Sequence, residues 1–290
     1  MTELRELARR LLSEGTVNAV LGWEEGPRGA RPAFVTTPDG ADRLIFDPRC
    51  VHDLASYLSP RRPHLKKLGK VAVVLKPCDA RAVAGLIRET QIPRENVVLV
   101  GVRCGGVLAD PESTAPLSET TVADRCRGCP DREAKLADHV VGTAGAGFPG
   151  PSRRAQKIEE LAAMPVDRRW DFWQAELSKC VRCHACRQVC PLCFCERCMA
   201  DKSLPRWIES SPHARGNIAW HITRAMHLAG RCVDCGECER VCPEGIPLGL
   251  ITRKIAQVVS DRYDFRPSDD PAVPAPVGTY RMDDPQEFIL

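Results

Sequence analysis

The chain has 290 residues, 43% hydrophobic, 27% charged and 5% aromatic, with 16 cysteines and a formal net charge of +3. At about 150 residues per domain this length corresponds to two domains, and the apolar share excludes disorder over most of it. The mild, evenly spread charge argues against a nucleic-acid partner. No apolar run approaches the roughly 18 residues that a membrane span needs.

The first residues, MTELRELARRLL, mix Glu3 and Glu6 with Arg5, Arg9 and Arg10 and repeat Leu4, Leu7, Ala8, Leu11 and Leu12 at helical spacing. This is the pattern of an amphipathic surface helix, not of a signal peptide, which carries an unbroken apolar stretch. The expected location is therefore the reducing cytoplasm, where cysteine-rich patterns are read as metal or cluster ligands before disulfides.

Val71 to Leu75 (VAVVL) is a buried-strand pattern, followed by Asp79 as an N-cap and by Val83, Leu86 and Ile87 at helical spacing. A second strand pattern runs from Val97 to Val102. Strand, helix and strand over so short a stretch form a right-handed crossover, so residues 1–150 are expected to be an α/β domain with a parallel sheet. Gly142 to Ser152 (GTAGAGFPGPS) has loop composition and marks the boundary. Gly142, Gly145 and Gly147 do not form a dinucleotide fingerprint.

Residues 151–179 are expected to be a helical linker containing Ile158, Leu161 and Ala162. In it Trp170, Phe172 and Trp173 serve packing and are not a cofactor platform.

Eleven of the 16 cysteines lie between Cys180 and Cys242. Cys180, Cys183, Cys186 and Cys190 with Pro191 spell C-x2-C-x2-C-x3-C-P, and Cys232, Cys235, Cys238 and Cys242 with Pro243 spell it again. This is the run of bacterial two-cluster ferredoxins, in which the fourth cysteine ligates the other cluster. The expected sets are Cys180, Cys183, Cys186 and Cys242 for one 4Fe-4S centre, and Cys232, Cys235, Cys238 and Cys190 for the second. Zinc, which C-x2-C pairs also bind, is the weaker reading.

Between the runs, Ile218, Ile222, Ala225, Met226 and Ala229 before Gly230 read as an amphipathic helix. Leu250, Ile251, Ile255, Val258 and Val259 read as another. Residues 180–262 are thus expected to be a mainly α-helical dicluster ferredoxin domain, and 263–290 a Pro-rich extended tail. Arg182, His184 and Arg187 surround the first run, whereas Asp234, Glu237 and Glu239 accompany Arg240 in the second. By local charge, the first centre is expected to have the higher potential.

Cys78 and Cys104 follow the two strands of the crossover and should emerge at one carboxyl edge, while Cys126 and Cys129 add a C-x2-C pair. A third 4Fe-4S centre is the preferred reading of these four, with zinc or unligated thiols as competitors. Cys193, Cys195 and Cys198 remain. They suit zinc if His213 or His227 closes the tetrahedron, a further cluster with Cys50, or simple packing, and these readings stay open.

KPCDARAVAGLI, ENVVLVGVRCGG, RCRGCPDREAKLADHVVG and KCVRCHACRQVCPLCFCERC together resemble the beta subunits of the coenzyme F-420 hydrogenase and formate dehydrogenase family. HLAGRCVDCGECERVCPEGIPLGL resembles the dicluster domain of its formate dehydrogenase branch and of heterodisulfide-reductase-associated proteins. The resemblance covers about residues 65 to 262 and implies an electron-transfer subunit of an anaerobic oxidoreductase. Its partners would be a hydrogenase, a formate dehydrogenase or a flavin-containing bifurcating subunit.

In flavin-bearing members further strands help hold FAD. Here, after Ala137, Asp138 and Gly142, the chain passes through GTAGAGFPG directly into a helix, which argues against FAD. No serine, histidine or carboxylate constellation points to bond-making chemistry. The competing classes are a flavin-containing reductase acting on a deazaflavin or nicotinamide, and a zinc-binding scaffold.

Overall fold

The computed structural model describes residues 1–62, 67–143, 145–202, 204–209, 211–280 and 282–283. Its first half is built on a six-stranded mixed sheet of order β2-β1-β4-β5-β6, with β3 also on β1. The strands are β1 (Ala19–Gly26), β2 (Gly29–Val35), β3 (Leu44–Ile45), β4 (Val71–Leu75), β5 (Val97–Val102) and β6 (His139–Val141). The crossover pair β4 and β5 is parallel, Val71 opposite Val97 and Leu75 opposite Gly101. Strand β1 joins β4 and β6 joins β5 in the same sense, while β2 and β3 run antiparallel to β1.

The antiparallel hairpin β1-β2 has no counterpart in the sequence reading, because the pair of glutamates in LGWEEG breaks the apolar alternation. Glu24 is tolerated inside because Arg31, directly across the ladder, and Arg43 reach its carboxylate at 2.8 and 3.0 Å.

Helix α1 (Thr2–Ser13) buries Leu4, Leu7, Ala8 and Leu11, the 3-4 spacing that lays one stripe on a sheet. Helix α2 (Pro77–Arg88) follows β4. Its N-cap is Lys76, not Asp79. Asp79 occupies the third helical position, where Oδ2 accepts from the Lys76 amide at 3.3 Å and pairs with Lys76 Nζ at 2.8 Å. Lys76 Nζ also donates to the His52 carbonyl at 2.6 Å and stands over the Trp23 ring, so the buried charge is fully engaged.

The second half is helical, with α3 (Arg153–Ala163), α4 (Val166–Ser178), α5 (Ala185–Val189), α6 (Ala214–His227), α7 (Glu237–Arg240) and α8 (Leu248–Tyr263). Among the described residues no helix is long and apolar enough to cross a membrane.

The halves share one apolar core. Leu192, Leu228 and Val233 join the sheet residues, and α2 approaches Leu192 closely at Gly85, where a Cβ would stand 3.0 Å from a leucine methyl. Arginine forks reinforce this seam. Arg61 donates to the carbonyls of Arg187 and Cys190, Arg81 to that of Val233, and Arg231 pairs with Glu89. The described part of the tail lies on this chain itself. Phe265 and Ala275 bury against Val259, and Arg88 donates to the Asp270 carbonyl. Residues 281 and 284–290 of the tail expected from the sequence lie outside the described residues.

Candidate metal centres

Both cysteine runs fold alike. In the first, Arg182 and His184 have φ of +58° and +59°. In the second, Asp234 and Gly236 have φ of +56° and +72°. Left-handed residues on either side of each middle cysteine reverse the chain twice, which turns three successive sulfurs toward one side. Three of these four residues are not glycine, and such strain persists where a site requires it. The geometry also aims amides at sulfur. The Arg182 N–H donates to Cys180 Sγ at 3.4 Å, and the Asp234 and Glu237 amides face the thiols of Cys232 and Cys235.

Cys180, Cys183 and Cys186 line one cavity together with Cys242 from the second run, beside His184, Trp220 and His221. Cys232, Cys235 and Cys238 line another together with Cys190 from the first run, beside Arg224 and Leu228. The short helices α5 and α7 that carry Cys186 and Cys238 pack on each other, so the exchange of fourth cysteines needs no long excursion.

Burial pushes the thiols of Cys180, Cys235 and Cys238 up, and those of Cys186 and Cys232 to about 12. Groups so reluctant to ionise alone become thiolates when metal charge compensates them. Four thiols around each cavity, with amides directed at sulfur, are a donor set that fits a 4Fe-4S cube. Among the described residues no group of three or more His, Cys, Asp or Glu side chains is arranged to hold a single metal ion.

In the α/β half, Cys78 opens α2 and Cys104 follows β5. Cys104 and Cys126 are within electrostatic reach of each other, as are Cys78 and Cys104. Burial raises both the Cys78 and the Cys104 thiols. Cys129 is held one turn from Cys126, its amide donating to the Cys126 carbonyl and its thiol facing the Asp131 carbonyl at 3.8 Å. Arg125 lies between this group and the second cavity. Burial works against its charge, but Glu237, Cys126, Cys78 and Cys235 outweigh that and keep it charged.

The remaining cysteines disperse. Cys193 pairs with Cys190, and that hydrogen bond lowers its thiol to about 7. Cys195 is exposed and Cys198 packs near Ala200. Cys50 is buried elsewhere, between the Asp47 amide and the Ile45 carbonyl. His213 caps α6, its Nδ1 accepting from the Gly216 amide at 3.4 Å.

The largest departure from the sequence reading concerns α6. The stripe read as its apolar face includes Ile222 and Met226, which are exposed. The buried face is Asn217, Trp220, His221, Arg224 and Ala225. A helix that walls polar centres buries what suits them, so mean apolarity misleads there. The only signal available was the spacing of Trp220, His221 and Arg224 on adjacent turns.

Several of the local charges of the two runs are paired in the fold. Asp234 binds Arg154 at 2.6 Å and Arg253 at 2.9 Å, Glu239 binds Arg154 at 3.2 Å, and Glu237 binds Arg240 at 2.7 Å. Arg187 is in turn paired with Asp201 at 2.6 Å.

The 4Fe-4S dicluster domain family matches residues 176–246. That stretch is a 4Fe-4S dicluster domain. The chain is 23% identical to the beta subunit of an F420-dependent formate dehydrogenase from Methanocaldococcus jannaschii, over 92% of this chain and 92% of that one. It is 24% identical to the beta subunit of F420-dependent formate dehydrogenase 1 from Methanococcus maripaludis, over 93% and 91%. These alignments run to 358 positions, more than the 290 residues here, so the relatives carry segments without counterpart in this chain. A chain of the F420-reducing [NiFe] hydrogenase complex from Methanosarcina barkeri aligns over 37% of this chain and 38% of its own. Its TM-score is 0.30 at 18% identity, too distant to carry an argument.

Proposed function

We propose that this chain is an iron-sulfur electron-transfer subunit of a multi-subunit anaerobic oxidoreductase, working in the cytoplasm with a hydrogenase, a formate dehydrogenase or a flavin-containing heterodisulfide-reductase-like subunit. The observation that carries it is the pair of cavities inside the dicluster domain, each lined by four cysteines with the fourth exchanged. The similarity to formate dehydrogenase beta subunits along nearly the whole chain supports the partner class.

In this reading Cys180, Cys183, Cys186 and Cys242 hold one centre, and Cys190, Cys232, Cys235 and Cys238 the other. Cys78, Cys104, Cys126 and Cys129 hold a third. Its division of labour follows the boundaries 1–150 for the α/β part, 151–179 for the linker, 180–262 for the dicluster part and 263–290 for the tail. When bound, 4Fe-4S clusters supply one-electron chemistry. The protein's own residues fix their spacing, direct amides to sulfur and exclude water.

Iron and acid-labile sulfide on anaerobically purified chain test the reading. Three cubes require about twelve of each per chain and two require about eight. Stoichiometric zinc without sulfide overturns it in favour of a scaffold.

A second reading has its own observation. At the carboxyl edge of β5 and β6 a cavity of about 530 Å3 is walled by Arg103, Gly105, Gly106, Gly142 and Gly145, a size and place suited to a dinucleotide. Backbone meets backbone there, a Cβ on Gly105 coming within 2.9 Å of the Gly145 Cα. A flavin-bearing reductase acting on a deazaflavin or nicotinamide fits this cavity, whereas the shorter chain and the loop following β6 favour the wire. Flavin released on denaturation, at one per chain, decides for the reductase.

A further inference from the structure

One helix serves both cavities of the dicluster domain. His221 and Arg224 lie three residues apart on α6, and each is buried, at 3% and 6% exposure. His221 lines the first cavity and its Nε2 has no hydrogen-bond partner among the described residues. Arg224 lines the second. Its Nη2 donates to the Cys186 carbonyl at 3.1 Å, its Nε is unpartnered, and among the described residues no carboxylate pairs with it.

A buried guanidinium without a counter-ion is among the costliest features a fold can carry, which implies an anion in the space it faces. The cavity it lines presents the sulfurs of Cys190, Cys232, Cys235 and Cys238. Arg61 approaches the same corner, donating to the Cys190 carbonyl while its own Nε and Nη1 are unpartnered.

The arginine that lines the first cavity, Arg182, is only half-buried. Arg182 at its rim is shared among Asn217 Oδ1, the Gly216 carbonyl and the Trp220 ring.

We propose that Arg224 is the built-in counter-cation of the second cysteine cage, that among the described residues the first cage has no arginine buried to the same degree, and that the second centre is therefore the easier to reduce. This rests on the cluster reading above and reverses the order read from local charge. A thiolate-ligated cube is a buried anion, and each added electron makes it more negative. A cation fixed in low dielectric favours the reduced form more than a neutral dipole does. The acids of the second run do not cancel the effect, since Asp234, Glu237 and Glu239 are each tied to another arginine.

The test is an EPR-monitored redox titration of the anaerobic full-length chain and its variants, with iron and sulfide measured on each sample. The second centre is identified as the signal altered by Cys235→Ser. In the unaltered chain that signal grows in at the higher potential. Arg224→Gln lowers its midpoint by at least a tenfold change in the reduced-to-oxidised ratio, about 59 mV for one electron, and moves the other midpoint less. Arg224→Lys, keeping the charge, recovers most of the loss, and His221→Phe moves only the first signal. If Arg224→Gln sheds iron while Arg224→Lys retains it, the charge requirement is supported in another form.

Unchanged midpoints in Arg224→Gln, the reverse order in the unaltered chain, or equal iron loss in both Arg224 variants overturns the proposal. Absence of iron and sulfide from the unaltered chain overturns the cluster reading instead, so the two failures are distinct.

Discussion

The two cysteine cages share a spacing, a backbone path and a fourth cysteine drawn from the other run, yet they are built into different surroundings. The first is nearer solvent, with Cys183 exposed, and is walled by Trp220 with His184 and His221 edge-on to it at 5.3 and 4.9 Å. The second is set against the α/β half. Leu192, Leu228 and Val233 close it on the sheet's core, and Arg125 links it to Cys78 and Cys126. Identical ligand motifs therefore specify only the cage. Its electrostatic setting comes from whichever elements the fold presses against it, and in the second cage these are arginines from remote parts of the chain.

The sharpest way to break this comparison is to remove the exchanged ligands. Cys242→Ser, although in the second run, is expected to abolish the signal of the first centre and to remove about four irons per chain, while Cys190→Ser abolishes the second. Anaerobic iron analysis and EPR check this, and the opposite assignment would show that each run closes its own cage.

A smaller effect is expected at the ion-pair belt of the second cage. Asp234→Asn leaves Arg154, whose side chain is 9% exposed, without its closest partner, and is predicted to cost about 2 kcal/mol in thermal unfolding. The cage itself should survive, because the Asp234 carboxylate binds arginine and the amide that faces Cys232 is kept in the variant.

The smallest effect concerns the left-handed residue after each middle cysteine. Gly236→Ala places a Cβ at positive φ and 3.1 Å from Arg125, so about 1–2 kcal/mol of destabilisation is expected. His184→Gly relieves the equivalent strain in the first cage but gives up the contact with Trp220, and the net change in melting is expected to stay within about 1 kcal/mol. A larger loss in His184→Gly than in Gly236→Ala would mean that the Trp220 wall, not the turn, dominates the first cage.

Legibility followed the range of the interaction. Strands β4 and β5, buried on both faces, were readable as apolar runs, and so were α1 and α8 from their periodicity. Strand β1 was not, because Glu24 is neutralised by Arg31 and Arg43 only once the ladder forms. The buried face of α6 was misread for the same reason. Trp220, His221 and Arg224 look like a solvated stripe until the cysteine cavities they wall are in place. Asp79 was placed at the N-cap of α2, and the fold moves it to the third position because Lys76 needs its carboxylate inside.

The sequence by itself determined the thiol-rich character of the two cages. Two copies of C-x2-C-x2-C-x3-C-P bring sulfurs together through turns a few residues long, and so short a loop leaves little freedom. Tertiary structure alone decided the charge each cage faces. Arg154 meets Asp234 across 80 residues of chain, and Arg125 lies with Glu237 though far from it in sequence. Coulomb energy depends on separation and dielectric in space, and neither can be read from the order of residues.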